Sequence, residues 1–262
     1  MAIFEISIRD KDNKVLIENK ALNEVTIAYR GEYLPGDYIQ LKSDTKDIYI
    51  KLRLDDSLTE SIVYLSDYIF CFPIPCGDDL KPYGEKAFTG IRHWGYVSLL
   101  DKKEYNNVRN LALNTFDYND NQIIYPHVTT NVMTDNPQFF GRNVIDGIFE
   151  TSNHGSWPHS SWGINKQSDA WIKVDFKETV FVDELLIYLR ADFPHDNWWQ
   201  KMTVTFSDGE SRILSLEKTG QSQVISVKKK TNMIVLSDLM MSNEESLFPA
   251  LSQMKVIGKL DN

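Results

Sequence analysis

Positive charge is in short supply: 28 Lys and Arg stand against 37 Asp and Glu, a formal net charge of −9. That balance excludes nucleic acid as the default partner, because phosphate binding is driven by clustered Lys and Arg. The one basic run, Lys228-Lys229-Lys230, precedes the apolar "NMIVLSDL" and reads as a solvated turn before a strand. Apolar runs are also short. None approaches the roughly 20 residues that a membrane-crossing helix needs. Cysteine is scarce, with Cys71 and Cys76 alone in "FCFPIPCGDD". The N-terminal "MAIFEISIRDKDNK" lacks the basic start and apolar core of a signal peptide. The expected compartment is therefore the cytoplasm, with two free thiols and Cys71 buried as a small hydrophobe. "GxSxG", His-x-His and His-x-x-x-His spacings, internal repeats and low-complexity tracts are all missing.

What is present is period two. "AIFEISIRD", "NEVTIAYRG", "DYIQLKS", "DIYIKLRL" and "SIVYLSDYIFCF" alternate or run apolar, with β-branched and aromatic residues. Turn signals such as "DKDN", "LPGD" and "CGDD" separate them. A second strand series follows: "DAWIKVDF", "VFVDELLIYLR", "KMTVTFSDG", "SRILSLEK", "SQVISVKK", "NMIVLSDL" and "LSQMKVIGKL". Between the two series lies "TFDYNDNQIIYPHVTTNVMTDNPQ", rich in Asn, Asp and Thr, which reads as a connector. The expectation is an all-β chain of two antiparallel sandwiches, residues 1–125 and 126–262. "LDKKEYNNVRNLALN" is the best helix candidate, a short helix or an irregular segment.

Rare residues are concentrated. Of 6 Trp, all but Trp94 (Trp157, Trp162, Trp171, Trp198, Trp199) lie between residues 154 and 199, as do His154, His159 and His195 of 5 His. Sugar recognition needs this mixture. The C–H face of a pyranose stacks on an aromatic ring, while its hydroxyls need fixed donors and acceptors. The stretches "NHGSWPHSSWG" and "RADFPHDNWW" supply both, making His154, Trp157, His159, Arg190, Asp192, His195, Asp196, Trp198 and Trp199 the candidate ligand-binding residues. Trp162 and Trp171 are flanked by strand residues and read as core. In extended backbone Trp198 and Trp199 point to opposite faces, so one packs inward and the other is the candidate platform.

Two other chemistries compete for the same residues. Asp192, His195 and Asp196 could serve as acid and base in a sugar-active enzyme. Aromatic and Arg-rich loops also anchor protein partners. With no convincing nucleophile or opposed acid pair, the sequence favours a binding module over an enzyme.

The order "RNVIDGIFETS", "SWPHSSWG", "DAWIKVDFKETVFVDELLIYLR", "VTFSDG" and "LSQMKVIG" resembles the discoidin or factor V/VIII type C family, over residues 142–259. That family includes the family-32 carbohydrate-binding modules. The resemblance implies a galactose-binding-like jelly roll for the second half and a carbohydrate ligand. It requires no cofactor for binding but implies a possible structural calcium on the Asn143-to-Gly147 loop, through Asp146 and backbone carbonyls. Two positions depart from the pattern: "DFK" stands where the family has Asp-Leu-Gly, and Gln253 where related modules often carry a calcium-holding glutamate. Asp146 could equally close an Asx-type turn on nearby N–H groups.

Overall fold

In the computed structural model, residues 1–150, 157–191 and 197–261 are described. Helical turns among them are short 3-10 pieces; the rest of the regular structure is strand. No helix among the described residues is long and apolar enough to cross a membrane.

The first half contributes β1 (Ile3–Arg9), β2 (Val15–Leu22), β3 (Glu24–Tyr29), β4 (Tyr38–Ser43), β5 (Ile48–Arg53), β6 (Ser61–Leu65), β7 (Ile69–Pro73) and β8 (His93–Leu99). Alternation drives their placement. In β1, Phe4, Ile6 and Ile8 are buried while Ile3 and Glu5 face outward. One antiparallel sheet runs β2-β1-β4-β7, and a second contains β6-β5-β8-β3. Their inner faces enclose a core that includes Phe4, Leu41, Phe72, Ile50, Val63 and Val97. Strand β2 is mostly exposed, which is why its "VLIENKAL" carries no clear sequence signal.

Short pieces then lead across: β9 (Arg109–Asn110), β10 (Ile124–Tyr125), β11 (His127–Thr130) and β12 (Trp162–Gly163). The second half adds β13 (Ile172–Leu189), β14 (Trp199–Phe206), β15 (Ser211–Ser215), β16 (Gln223–Met241) and β17 (Ala250–Leu260). Their order is β12-β17-β13-β16-β14-β15, with β11 joined to the start of β13. The core of this half gathers Trp162, Val174, Leu185, Trp199, Phe206 and Met254 among others.

Three expectations are corrected here. The pairs of strands read from "DAWIKVDF…VFVDELLIYLR" and "SQVISVKK…NMIVLSDL" are single long strands, β13 and β16. Register shifts mark where each pair would have broken, and Lys177 and Lys228 adopt positive φ, so the turn-like residues bend a strand without ending it. The Lys228-Lys229-Lys230 run therefore lies inside β16, where Lys229 pairs with Asp208 and Glu210 at 2.5 Å. The helix candidate, read as a short helix or an irregular segment, is a 3-10 turn, Lys102–Glu104, and irregular backbone up to β9, as expected. Cys71 is half-buried and accepts a hydrogen bond from Gln40; both cysteines are free thiols.

The two halves interlock. Strand β9 adds to β17, whereas β10, further along the chain, returns to β6. Leu111 and Ala112 belong to the second core, Phe116 and Ile124 to the first. Gly258 is required at this crossing: a Cβ there would stand 2.1 Å from the Phe181 carbonyl oxygen. The Asn- and Asp-rich connector is packed down between the cores. Asp117 and Asn121 are buried, and Asp117 accepts from Asn121, from the Val128 N–H at 2.9 Å, and bonds His127 Nδ1 at 2.8 Å.

Candidate functional site

Strand β13 ends at Leu189, and Arg190 follows it toward the loop end of the sandwich. The Arg190 N–H still bonds the Ala250 carbonyl at 2.9 Å, so the ladder to β17 holds its backbone. Its side chain is 2% exposed and donates from Nη1 to the His159 carbonyl at 2.6 Å. A long cation held this deeply is placed by the fold and does not sweep through solvent.

Asn197, also buried, fixes the facing loop. Its Nδ2 lies 3.3, 3.2 and 2.9 Å from the carbonyl oxygens of Ser242, Glu244 and Ser246, while its Oδ1 accepts from the Trp198 N–H. The segment thus pinned carries Leu247 and Phe248, about half exposed, in front of β17. Lys166 Nζ stands 4.9 Å from the Phe248 ring centroid. Between Phe248, Phe139, Asn165, Ser246, Ala250 and Arg190 opens a cavity of about 340 Å³. No carboxylate is among its described lining residues. The walls offer an aromatic face, an amide, a hydroxyl and a guanidinium.

The sequence-predicted residues divide. Arg190 lines the cavity, and His159 supports Arg190 through its carbonyl. Trp199 is fully buried beside Trp162, ring centroids 6.0 Å apart, so it is the inward member of the pair and presents no ring to a ligand. Trp198 is half-buried against the second core. Trp157 is 44% exposed but lies elsewhere: its N–H reaches the Lys81 carbonyl, and its ring covers Gly84 of the first half. Trp162 is core, as expected; Trp171 is half-buried. His154, Asp192, His195 and Asp196 lie outside the described residues. Sequence reasoning missed Phe248 and Asn197. The usable signal was "LFPA", an apolar pair and a proline ending the polar "SNEES" just before a strand.

The Asp146 loop is closed from within. Asp146 Oδ1 accepts from the Ile148 N–H at 2.8 Å, and Oδ2 from Ser160 at 3.5 Å. Gly147 takes positive φ, and its N–H donates to Gln253 Oε1 at 3.2 Å. Gln253 Nε2 donates to the Val144 carbonyl at 2.7 Å. Burial pushes the Asp146 carboxyl up to about 7, opposed by the nearby Arg142 guanidinium. The Val144 carbonyl is thus engaged by an amide N–H and Asp146 Oδ1 by a backbone N–H, so the loop is hydrogen-bonded from within.

Compared with known proteins, no family model and no curated protein matches the chain. Solved structures do. A Clostridium perfringens module, CpGH89CBM32-4, in complex with GlcNAc-α-1,4-galactose is 20% identical, covers 58% of this chain and 95% of its own, with a TM-score of 0.40. A Streptococcus pneumoniae fucose-binding module is 17% identical over 56% of this chain and 96% of its own, TM-score 0.40. The family 32 module of Clostridium perfringens NanJ, in complex with galactose, is 11% identical over 50% and 91%, TM-score 0.39. The chain is an antiparallel β protein similar to these solved carbohydrate-binding modules.

Proposed function

We propose that this chain is a non-catalytic carbohydrate-binding protein whose site is the cavity above Arg190. One observation carries the reading: a buried, fold-fixed guanidinium and the half-exposed Phe248 line the same cavity. A planar fork suits paired hydroxyls, and an aromatic face suits the apolar side of a pyranose. Asn165 and Ser246 supply further neutral donors and acceptors. Because no described wall residue is acidic, the acid pair that glycoside hydrolysis requires is not supplied by these residues.

A glycan array, followed by incubation of each hit with the protein, tests this. Binding with the glycan recovered intact is the expected result. Turnover would move the chemistry to an acid–base group such as Asp192, His195 or Asp196. Silence across the array, with capture of a polypeptide through Leu247 and Phe248, would replace the sugar with a protein partner.

A further inference from the structure

The cavity above Arg190 does not end at its own walls. Thr134, Phe139 and Asn165 also line a second hollow of about 640 Å³, which runs along Thr130 of β11. That hollow shares Asn119 and Phe140 with a third, of about 250 Å³, whose far wall belongs to the first half through Phe72, Tyr83 and Tyr118. Shared lining residues link the three hollows in series, a furrow that leads from one sandwich to the other. Rings recur along it, and between them stand neutral amides and hydroxyls: Asn165, Thr134, Thr130 and Asn119.

Charge differs along the furrow: Arg190 lines the first hollow, and carboxylates line the other two. Asp135 lines its middle, and Asp79 and Asp120 its far end. Arg142 is the cation there, but it is 5% exposed, lies 4.7 Å from the Tyr83 ring centroid and donates to the Thr115 carbonyl. An anionic chain would meet carboxylates, while an uncharged one meets rings and hydrogen-bonding groups.

Resting on the carbohydrate reading above, we infer that the ligand is an uncharged oligosaccharide, longer than a disaccharide, laid along this furrow so that both sandwiches bind it. The combined volume is several times what one sugar ring fills and extends beyond the range of ordinary single-ligand pockets, about 300–1,000 Å³. The first sandwich then has a binding role, which the Arg190 cavity alone does not assign to it.

The test is calorimetric titration of the full chain with homo-oligosaccharides of glucose, galactose, mannose and N-acetylglucosamine, from monosaccharide through hexasaccharide, with oligogalacturonides in parallel. The sugar that binds as a monomer is expected to gain roughly tenfold or more in affinity with length. The oligogalacturonides are expected to show no such gain. Asn119→Trp, at the exposed junction of the second and third hollows, should return the long chains to shorter-chain affinity without changing monosaccharide binding. Asn119→Ala, with unchanged melting, serves as the folding control. Monosaccharide binding with no gain in length overturns the furrow and leaves the Arg190 site standing. A gain that survives Asn119→Trp overturns the route into the first sandwich, and a gain by oligogalacturonides overturns the uncharged class. Failure of every neutral series to bind overturns the carbohydrate reading itself.

Discussion

Arg190 donates from Nη1 to the main-chain carbonyl of His159 at 2.6 Å, tying the end of β13 to the segment that precedes β12. The same side chain lines the candidate sugar cavity. Two roles are therefore proposed for it, one in holding the fold and one in binding. Arg190→Ala is expected to lower stability by about 1–3 kcal/mol, because a buried acceptor is left unsatisfied. Sugar affinity should fall as well, read by calorimetry well below the melting temperature. A variant that melts like the parent would show that the His159 contact contributes little.

Phe248 separates the two roles, since its ring is half exposed. Phe248→Ala is expected to weaken sugar binding by about 1–3 kcal/mol, while melting moves by no more than about 0.5 kcal/mol equivalent, as for ordinary surface changes. Unchanged binding would take the aromatic platform away from this rim.

Asp146 makes stability depend on pH. Its folded carboxyl holds a proton up to about 7, against an ordinary value of 3.8. Between those values the native state binds more protons than the unfolded chain, so this group's contribution falls as pH rises from near 4 to near 7 and is flat above. The slope reaches about 1.4 kcal/mol per pH unit for one proton. Asp146→Asn should flatten it, checked by urea melts across that range.

Gln253 closes the same loop by hydrogen bonds to the Val144 carbonyl and from the Gly147 N–H. Calcium or a chelator is expected to leave the melting temperature of the wild-type chain where it is. Gln253→Ala should lower stability by about 1–3 kcal/mol, since a buried carbonyl and N–H lose their partner. A calcium-dependent rise in wild-type melting would restore the cation to this loop.

A division of the chain near residue 125 is tested by limited proteolysis. With Asn114, Asp117 and Asn121 buried, cleavage between residues 114 and 128 is expected to be slow. Rapid release of two folded fragments from cuts there would show loosely docked halves.

Much of the fold was legible because strand periodicity is a local property. Phe4, Ile6 and Ile8 alternate in the chain and alternate in burial, and "RNVIDG" announced a turn that Asp146 does close on Ile148. Strand ends were less legible. Lys177 and Lys228 look like turn residues, yet continuing β-ladders on either side carry the backbone past them.

The sequence by itself determined that this is an alternating, acidic, all-β chain, and that Trp198 and Trp199 face opposite ways wherever the backbone is extended. Only the tertiary structure decided that Trp199 is the fully buried one, because that depends on where Trp162 packs against it. It also decided that the polar connector is buried, since Asp117 and Asn121 find backbone partners that composition cannot announce. Phe248 is the sharpest case. An apolar residue before a strand is ordinarily core, and it stands at a cavity rim here because Asn197, about fifty residues earlier, holds its loop by three carbonyls. Periodicity is encoded between neighbours; accessibility is set by contacts between residues far apart in the chain.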